Sequence, residues 1–185
     1  MRKLVYAINL TIDGCCDHTR MTPDEAMYGY HTRLLQEADV LLYGRKTYEL
    51  MVPYWPDMAK NHSGDGEEEN EYAAIFVAVD KMVVFSRTLE SVEGRNTVII
   101  RDNLRDEILA LKQEEGKNIL VGGVDLPSQL IALGLVDEYH FVIHPVLAGT
   151  GRRLLEATHL PEKLSLQLVS SKHFDSGCMA LHYVR

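Results

Sequence analysis

The chain has 185 residues, 46% of them hydrophobic, 25% charged and 8% aromatic, proportions that suit a single globular domain over residues 1–185. Nineteen Lys and Arg against twenty-seven Asp and Glu leave a net charge of −8, which excludes a general nucleic-acid binder and a polybasic membrane-surface protein. No apolar run approaches the ~20 residues of a bilayer span, and three cysteines, two of them vicinal (Cys15, Cys16, Cys178), make no disulfide framework. With no cleavable leader pattern at residues 1–10, a reduced, cytoplasmic protein is expected.

Strands and helices alternate along the chain. Residues 3–12 are apolar and partly β-branched, which predicts a buried strand. Thr22, Pro23, Asp24 and Glu25 make a helix start, with a hydroxyl cap, a first-position proline and early acids. That helix is expected to run to about Ala38. A buried strand follows over 39–43, then Gly44 and a second helix start. Residues 53–70 break the periodicity with Pro53, Pro56 and an acidic run, so they are expected to form a surface loop leading into a helix over 72–79. Strands are expected over 82–86 and 97–101, a helix over 104–115, and a strand over 118–121 ending in Gly122-Gly123. A short helix over 127–133 precedes strands over 138–146, 165–174 and 178–184, the last two joined as a hairpin across Asp175-Ser176-Gly177. Such alternation predicts an α/β fold with a mainly parallel sheet covered on both faces, made mixed by the terminal hairpin.

Several strand ends carry chemistry. In V-L-L-Y-G-R-K-T-Y-E (40–49), Arg45 and Lys46 fall at a helix N-terminus, where the dipole disfavours cations. A bound anion reverses that penalty, because backbone amides, the Thr47 hydroxyl and two cations converge on it; a solvated turn capped by Thr47 is the alternative. In V-V-F-S-R-T-L (83–89), Ser86 and Arg87 put a hydroxyl and a cation at a second strand end. In N-I-L-V-G-G-V-D (118–125), Gly122 and Gly123 either let a ligand approach the backbone or simply make a tight turn. No G-x-G-x-x-G follows a strand. Asp13, in T-I-D-G, is either a turn residue or an acid near a substrate. Arg152 and Arg153 form another basic turn. Trp55 either caps a ligand cleft or anchors its loop. His140 and His144 share a strand face without a third ligand at sensible spacing, so no metal is expected.

Taken together, T-I-D-G, L-L-Y-G-R-K-T-Y-E, V-V-F-S-R-T-L, I-L-V-G-G and G-L-V-D-E-Y-H-F-V-I-H-P-V-L-A-G-T-G-R-R-L-L occur in an order that resembles the C-terminal reductase domain of the bifunctional riboflavin-biosynthesis deaminase-reductase. The likeness is closer still to the stand-alone members of that family. It implies a three-layer α/β/α, dihydrofolate reductase-like fold that binds NADPH. By that resemblance Gly44, Arg45, Lys46 and Thr47 hold cofactor phosphates, and Ser86 and Arg87 lie near the ribose 2′-phosphate. Gly122, Gly123 and Val124 line the pyrophosphate and nicotinamide side, with a cis peptide at Gly122-Gly123. Asp13 is the candidate proton donor, with its pKa raised by a partly apolar site. Trp55, Arg152 and Arg153 are candidates for the substrate side.

The activity implied is that of an NADPH-dependent oxidoreductase resembling 5-amino-6-(5-phosphoribosylamino)uracil reductase, acting on a pyrimidine- or pterin-like heterocycle, in a homodimer formed through the C-terminal strands. A non-catalytic nucleotide-binding module on the same fold is the alternative. Dihydrofolate reduction is disfavoured: no carboxylate stands near Tyr28, where those enzymes carry theirs, and Glu25 is a turn away. The partner deaminase signature, H-x-E with P-C-x-x-C, is absent from the sequence.

Overall fold

β-branched and aliphatic runs dominate the strands, and the structure pairs them as the alternation predicts. The computed structural model describes residues 1–92 and 96–185. In chain order the elements are β1 (Leu4–Thr11), α1 (Glu25–Gln36), β2 (Ala38–Gly44), α2 (Arg45–Asn61), α3 (Glu67–Ala78), β3 (Lys81–Phe85) and β4 (Thr97–Ile100). Then come α4 (Leu104–Gln113), β5 (Asn118–Val121), α5 (Asp125–Ala132), β6 (Glu138–His144), β7 (Gln167–His173) and β8 (Met179–Val184). The fold is α/β, with an eight-stranded mixed, mostly parallel sheet and an antiparallel C-terminal hairpin. No helix among the described residues is long and apolar enough to cross a membrane. The chain divides into two compact units, Met1–Arg2 with Pro23–Leu120, and Lys3–Thr22 with Val121–Arg185.

In the first unit β2 pairs in parallel with β3 and β3 with β4, in a register that sets Gly44 beside Phe85 and Phe85 beside Ile100. The three loops that leave these strands therefore emerge side by side. Helix α1 is capped by Asp24, whose Oδ1 accepts from the Met27 amide at 2.7 Å, in place of the expected Thr22. A carboxylate directly before the first turn accepts the free amide and also faces the positive dipole end, which a hydroxyl two residues earlier cannot do.

Residues 53–70 correct the expected loop. Helix α2 runs through Pro53 and Pro56 to Asn61, and α3 begins at Glu67. Each interior proline removes one helix hydrogen bond, yet Tyr48, Trp55 and Met58 of α2 are buried against Tyr72 and Phe76 of α3 and Tyr43 and Val84 of the strands. That burial outweighs the lost hydrogen bonds. The acidic run is not a solvated loop either. Glu67, Glu68 and Glu69 form the first turn of α3, where the dipole favours them. Glu69 points inward and is only 6% exposed. It accepts from the Tyr28 hydroxyl and from the Asp65 amide, both at 2.8 Å. Burial, and then this carboxylate, push the Tyr28 hydroxyl well above the usual tyrosine range. Glu25, the acid nearest the position where dihydrofolate reductases carry theirs, caps α3 instead by accepting from the Glu68 amide.

The second unit pairs β1 in parallel with β6, from Val5 beside Glu138 to Thr11 beside His144. Strand β8 is antiparallel to both β6 and β7. The β7–β8 turn places Gly177 at φ 85°, a conformation that favours glycine. Asp137 fixes the register at the start of β6 by accepting from the Leu4 amide at 2.7 Å. Tyr6 is fully buried and donates its hydroxyl to the Gly123 carbonyl at 2.9 Å.

Candidate cofactor site

The first unit brings two of the predicted turns into contact. Gly44 is the N-cap of α2 and supplies no side-chain bond, so the first-turn amides of α2 have no side-chain cap. Arg45 and Lys46 are exposed at that turn. The Arg45 guanidinium donates to Glu49 Oε1 at 2.7 Å and to Thr88 Oγ1 at 3.0 Å, linking the turn after β2 to the turn after β3. Ser86 is buried and shapes that second turn, its Oγ accepting from the amides of Thr88 at 3.2 Å and Leu89 at 2.9 Å. The Arg87 side chain is 82% exposed, with Asp102 Oδ1 at 3.4 Å. Three cations and uncapped amides thus share one rim, a donor set suited to phosphate groups. Thr88 was missed by sequence reasoning. Its signal was present in the S-R-T spacing, which favours a hydroxyl-stabilised turn.

In the second unit Asp13 reverses the expected ionisation. Its carboxylate accepts from the Thr11 hydroxyl at 2.5 Å and from the amides of Ala148 and Gly149 at 3.0 and 2.8 Å. These donors, the Thr11 hydroxyl first, hold the carboxyl down at about 2. Three donors favour the charged form more than the modest burial disfavours it. Asp13 is therefore a carboxylate at neutral pH rather than a proton donor, and it ties the end of β1 to the 148–149 loop. A carboxyl with a depressed folded pKa stabilises the fold above its unfolded value, and that contribution is lost as pH falls through the folded value. The stability gap between the native chain and Asp13→Asn is accordingly expected to stay constant above about pH 4 and to close as pH falls to about 2. Urea unfolding across that range checks it, and a gap unchanged at the acid end would contradict the assignment.

Arg152 and Arg153 are engaged by acids and backbone of the same unit. Arg152 pairs with Asp125, while Arg153 donates to the Asp13 carbonyl and lies 3.7 Å from Asp13 Oδ2. Gly122 and Gly123 follow β5 with a trans peptide, because among the described residues there is no cis bond. Gly123 sits at φ 91°, a conformation that favours glycine. Val124 is the N-cap of α5 and its carbonyl accepts from the Ser128 hydroxyl at 2.7 Å. Trp55 lies within α2, in the aromatic core of the first unit, with its ring 4.5 Å from that of Tyr72, rather than in a loop. His140 and His144 take different neighbours: the former stacks on His182, and Nδ1 of the latter lies 3.6 Å from Cys178 Sγ. All three cysteines are free, and burial pushes the Cys16 thiol up to about 11.

The sequence profile of the family described as the RibD C-terminal domain matches residues 2–180. A Bacillus subtilis (strain 168) protein, "Uncharacterized protein YyaP", is 34% identical over 190 aligned positions, covering 98% of this chain and 94% of its own length. The chain belongs to the RibD C-terminal domain family. Solved structures agree at the level of fold. A pyrimidine reductase-like protein from Corynebacterium diphtheriae NCTC superposes with TM-score 0.67 at 14% identity, over 99% of this chain and 91% of its own. The diaminohydroxyphosphoribosylaminopyrimidine deaminase/5-amino-6-(5-phosphoribosylamino)uracil reductase of Thermotoga maritima gives TM-score 0.69 at 15% identity over 99% of this chain. The RibD C-terminal domain described here spans only 56% of that longer protein. Family and fold both agree with the resemblance that the ordered motifs carry.

Proposed function

We infer that this RibD C-terminal domain is an NADPH-dependent reductase of a pyrimidine- or pterin-like heterocycle. The observation that carries the reading is the rim in the first unit, where Arg45 reaches across to Thr88 and the uncapped first turn of α2 opens beside Ser86 and Arg87. An acidic chain that concentrates three cations at adjacent strand ends is suited to a small polyanion. In this reading Gly44, Arg45, Lys46 and Thr47 hold the phosphates, and Ser86 and Arg87 face the 2′-phosphate. When bound, the cofactor supplies the hydride, and the chain orients it and shapes the substrate wall. Asp13 contributes by holding Ala148 and Gly149 in place.

The test is direct. Titration should enhance NADPH fluorescence saturably, and mixing with a panel of oxidised pyrimidines and pterins should then consume the bound cofactor. No enhancement would end the reading. Saturable binding without turnover across the panel would favour a nucleotide-binding module on the same fold.

A further inference from the structure

Away from the strand ends already described, β6 and β8 set three metal-ligating side chains on one face of the second unit. Glu138 and His140 are two residues apart in β6, and so project to the same side. The β6–β8 register puts His182 directly opposite His140. The two imidazoles stack with centroids 4.2 Å apart at 14°. Glu138 Oε2 lies 3.3 Å from His182 Nε2 and 3.9 Å from His140 Nε2. One ligand atom from each of the three residues falls within 4.8 Å of the others.

We propose that Glu138, His140 and His182 form a binding site for a divalent transition metal of the zinc class. The spacing fits such an ion. Ligand bonds of about 2.0–2.2 Å in a tetrahedron place neighbouring donors about 3.3–3.6 Å apart. The Glu138–His182 pair already has that separation, Glu138 and His140 are 3.9 Å apart, and the two stacked imidazoles would tilt toward each other to share the ion. The donor set of two imidazoles and a carboxylate suits zinc and leaves a fourth position for water. Two further features favour it. His182 Nε2 is buried and makes no hydrogen bond, with the Glu138 carboxylate 3.3 Å away; buried polar atoms of this kind call for a partner. Lys3 donates to Glu138 Oε1 at 2.5 Å, which aims the other oxygen at the imidazoles in the manner of an outer-shell partner.

The place of the site in the fold follows from the register. Ala7, the β1 residue beside His140, lies four residues before Thr11, about 13 Å of strand at ~3.3 Å per residue. The ion is therefore remote from Asp13 and clasps β6 to β8 near the start of β6.

The chelator-stripped full chain should bind one equivalent of Zn2+ by calorimetry and unfold at a higher temperature with it. Co2+ should give visible d–d bands without a thiolate charge-transfer band in the near ultraviolet. His182→Ala and Glu138→Gln should each weaken binding about a hundredfold or more and remove the thermal shift. Glu138→Gln keeps the side-chain volume, so it reads the site even if His182→Ala folds poorly. Absence of binding by the native chain, binding unaffected by Glu138→Gln, or a thiolate band pointing to Cys15 or Cys16 would each overturn the proposal.

Discussion

Trp55→Ala is expected to lower the free energy of unfolding by about 3–5 kcal/mol, the range for truncating a buried aromatic residue. The indole sits among Tyr28, Tyr54, Tyr72 and Phe76, with centroids between 4.5 and 6.4 Å. It is the ring through which α1, α2 and α3 meet, so its removal leaves a cavity bounded by three helices that cannot all collapse. The effect should exceed that of an ordinary core truncation for a second reason. Helix α2 contains Pro53 and Pro56 and depends on burial rather than on an unbroken hydrogen-bond ladder. Denaturant unfolding followed by far-ultraviolet dichroism measures it, with Trp55→Phe retaining most of the stability. A loss under about 1 kcal/mol would mean that α2 is held by something other than this core.

The second large effect concerns cofactor choice and rests on the proposed reductase reading. Arg87→Ala should weaken NADPH binding about 10- to 100-fold, the equivalent of one charge-assisted hydrogen bond of ~1.5–3 kcal/mol. NADH binding should change little, because only NADPH carries the 2′-phosphate. The side chain is 82% exposed and its neighbour Asp102 Oδ1 stands 3.4 Å away, so the substitution removes a rim charge without opening the core. Arg87→Lys should restore only part of the preference, since an ammonium lacks the planar fork of a guanidinium. Equal losses for both cofactors would remove Arg87 from that role.

How much of this was legible from sequence depends on the range of the forces involved. Strands β2, β3 and β5 and the turns after them were readable because apolar runs and Gly, Ser or Arg at fixed offsets are local signals. Residues 53–70 were misread because the local signal pointed the wrong way. Two prolines and a run of glutamates argue for a loop, and only the packing of Trp55, Tyr72 and Phe76 shows that the segment is two helices. Glu69 illustrates the same limit: Glu67 and Glu71 of the same acidic run are exposed, but the helical repeat turns Glu69 toward Tyr28. The ionisation of Asp13 runs opposite to the expectation, since the amides of Ala148 and Gly149 come from 135 and 136 residues away. His182 was invisible for a related reason. Nothing in a single strand states which residue of another will lie opposite.

The burial of Trp55 has one more consequence. It is the sole tryptophan of the chain, and it belongs to the unit of Met1–Arg2 with Pro23–Leu120. Indole emission is therefore a built-in reporter for that half alone, whereas far-ultraviolet dichroism senses helices and strands in both. Recording the two signals in one denaturation experiment shows whether the halves lose structure together or in succession, with no label attached.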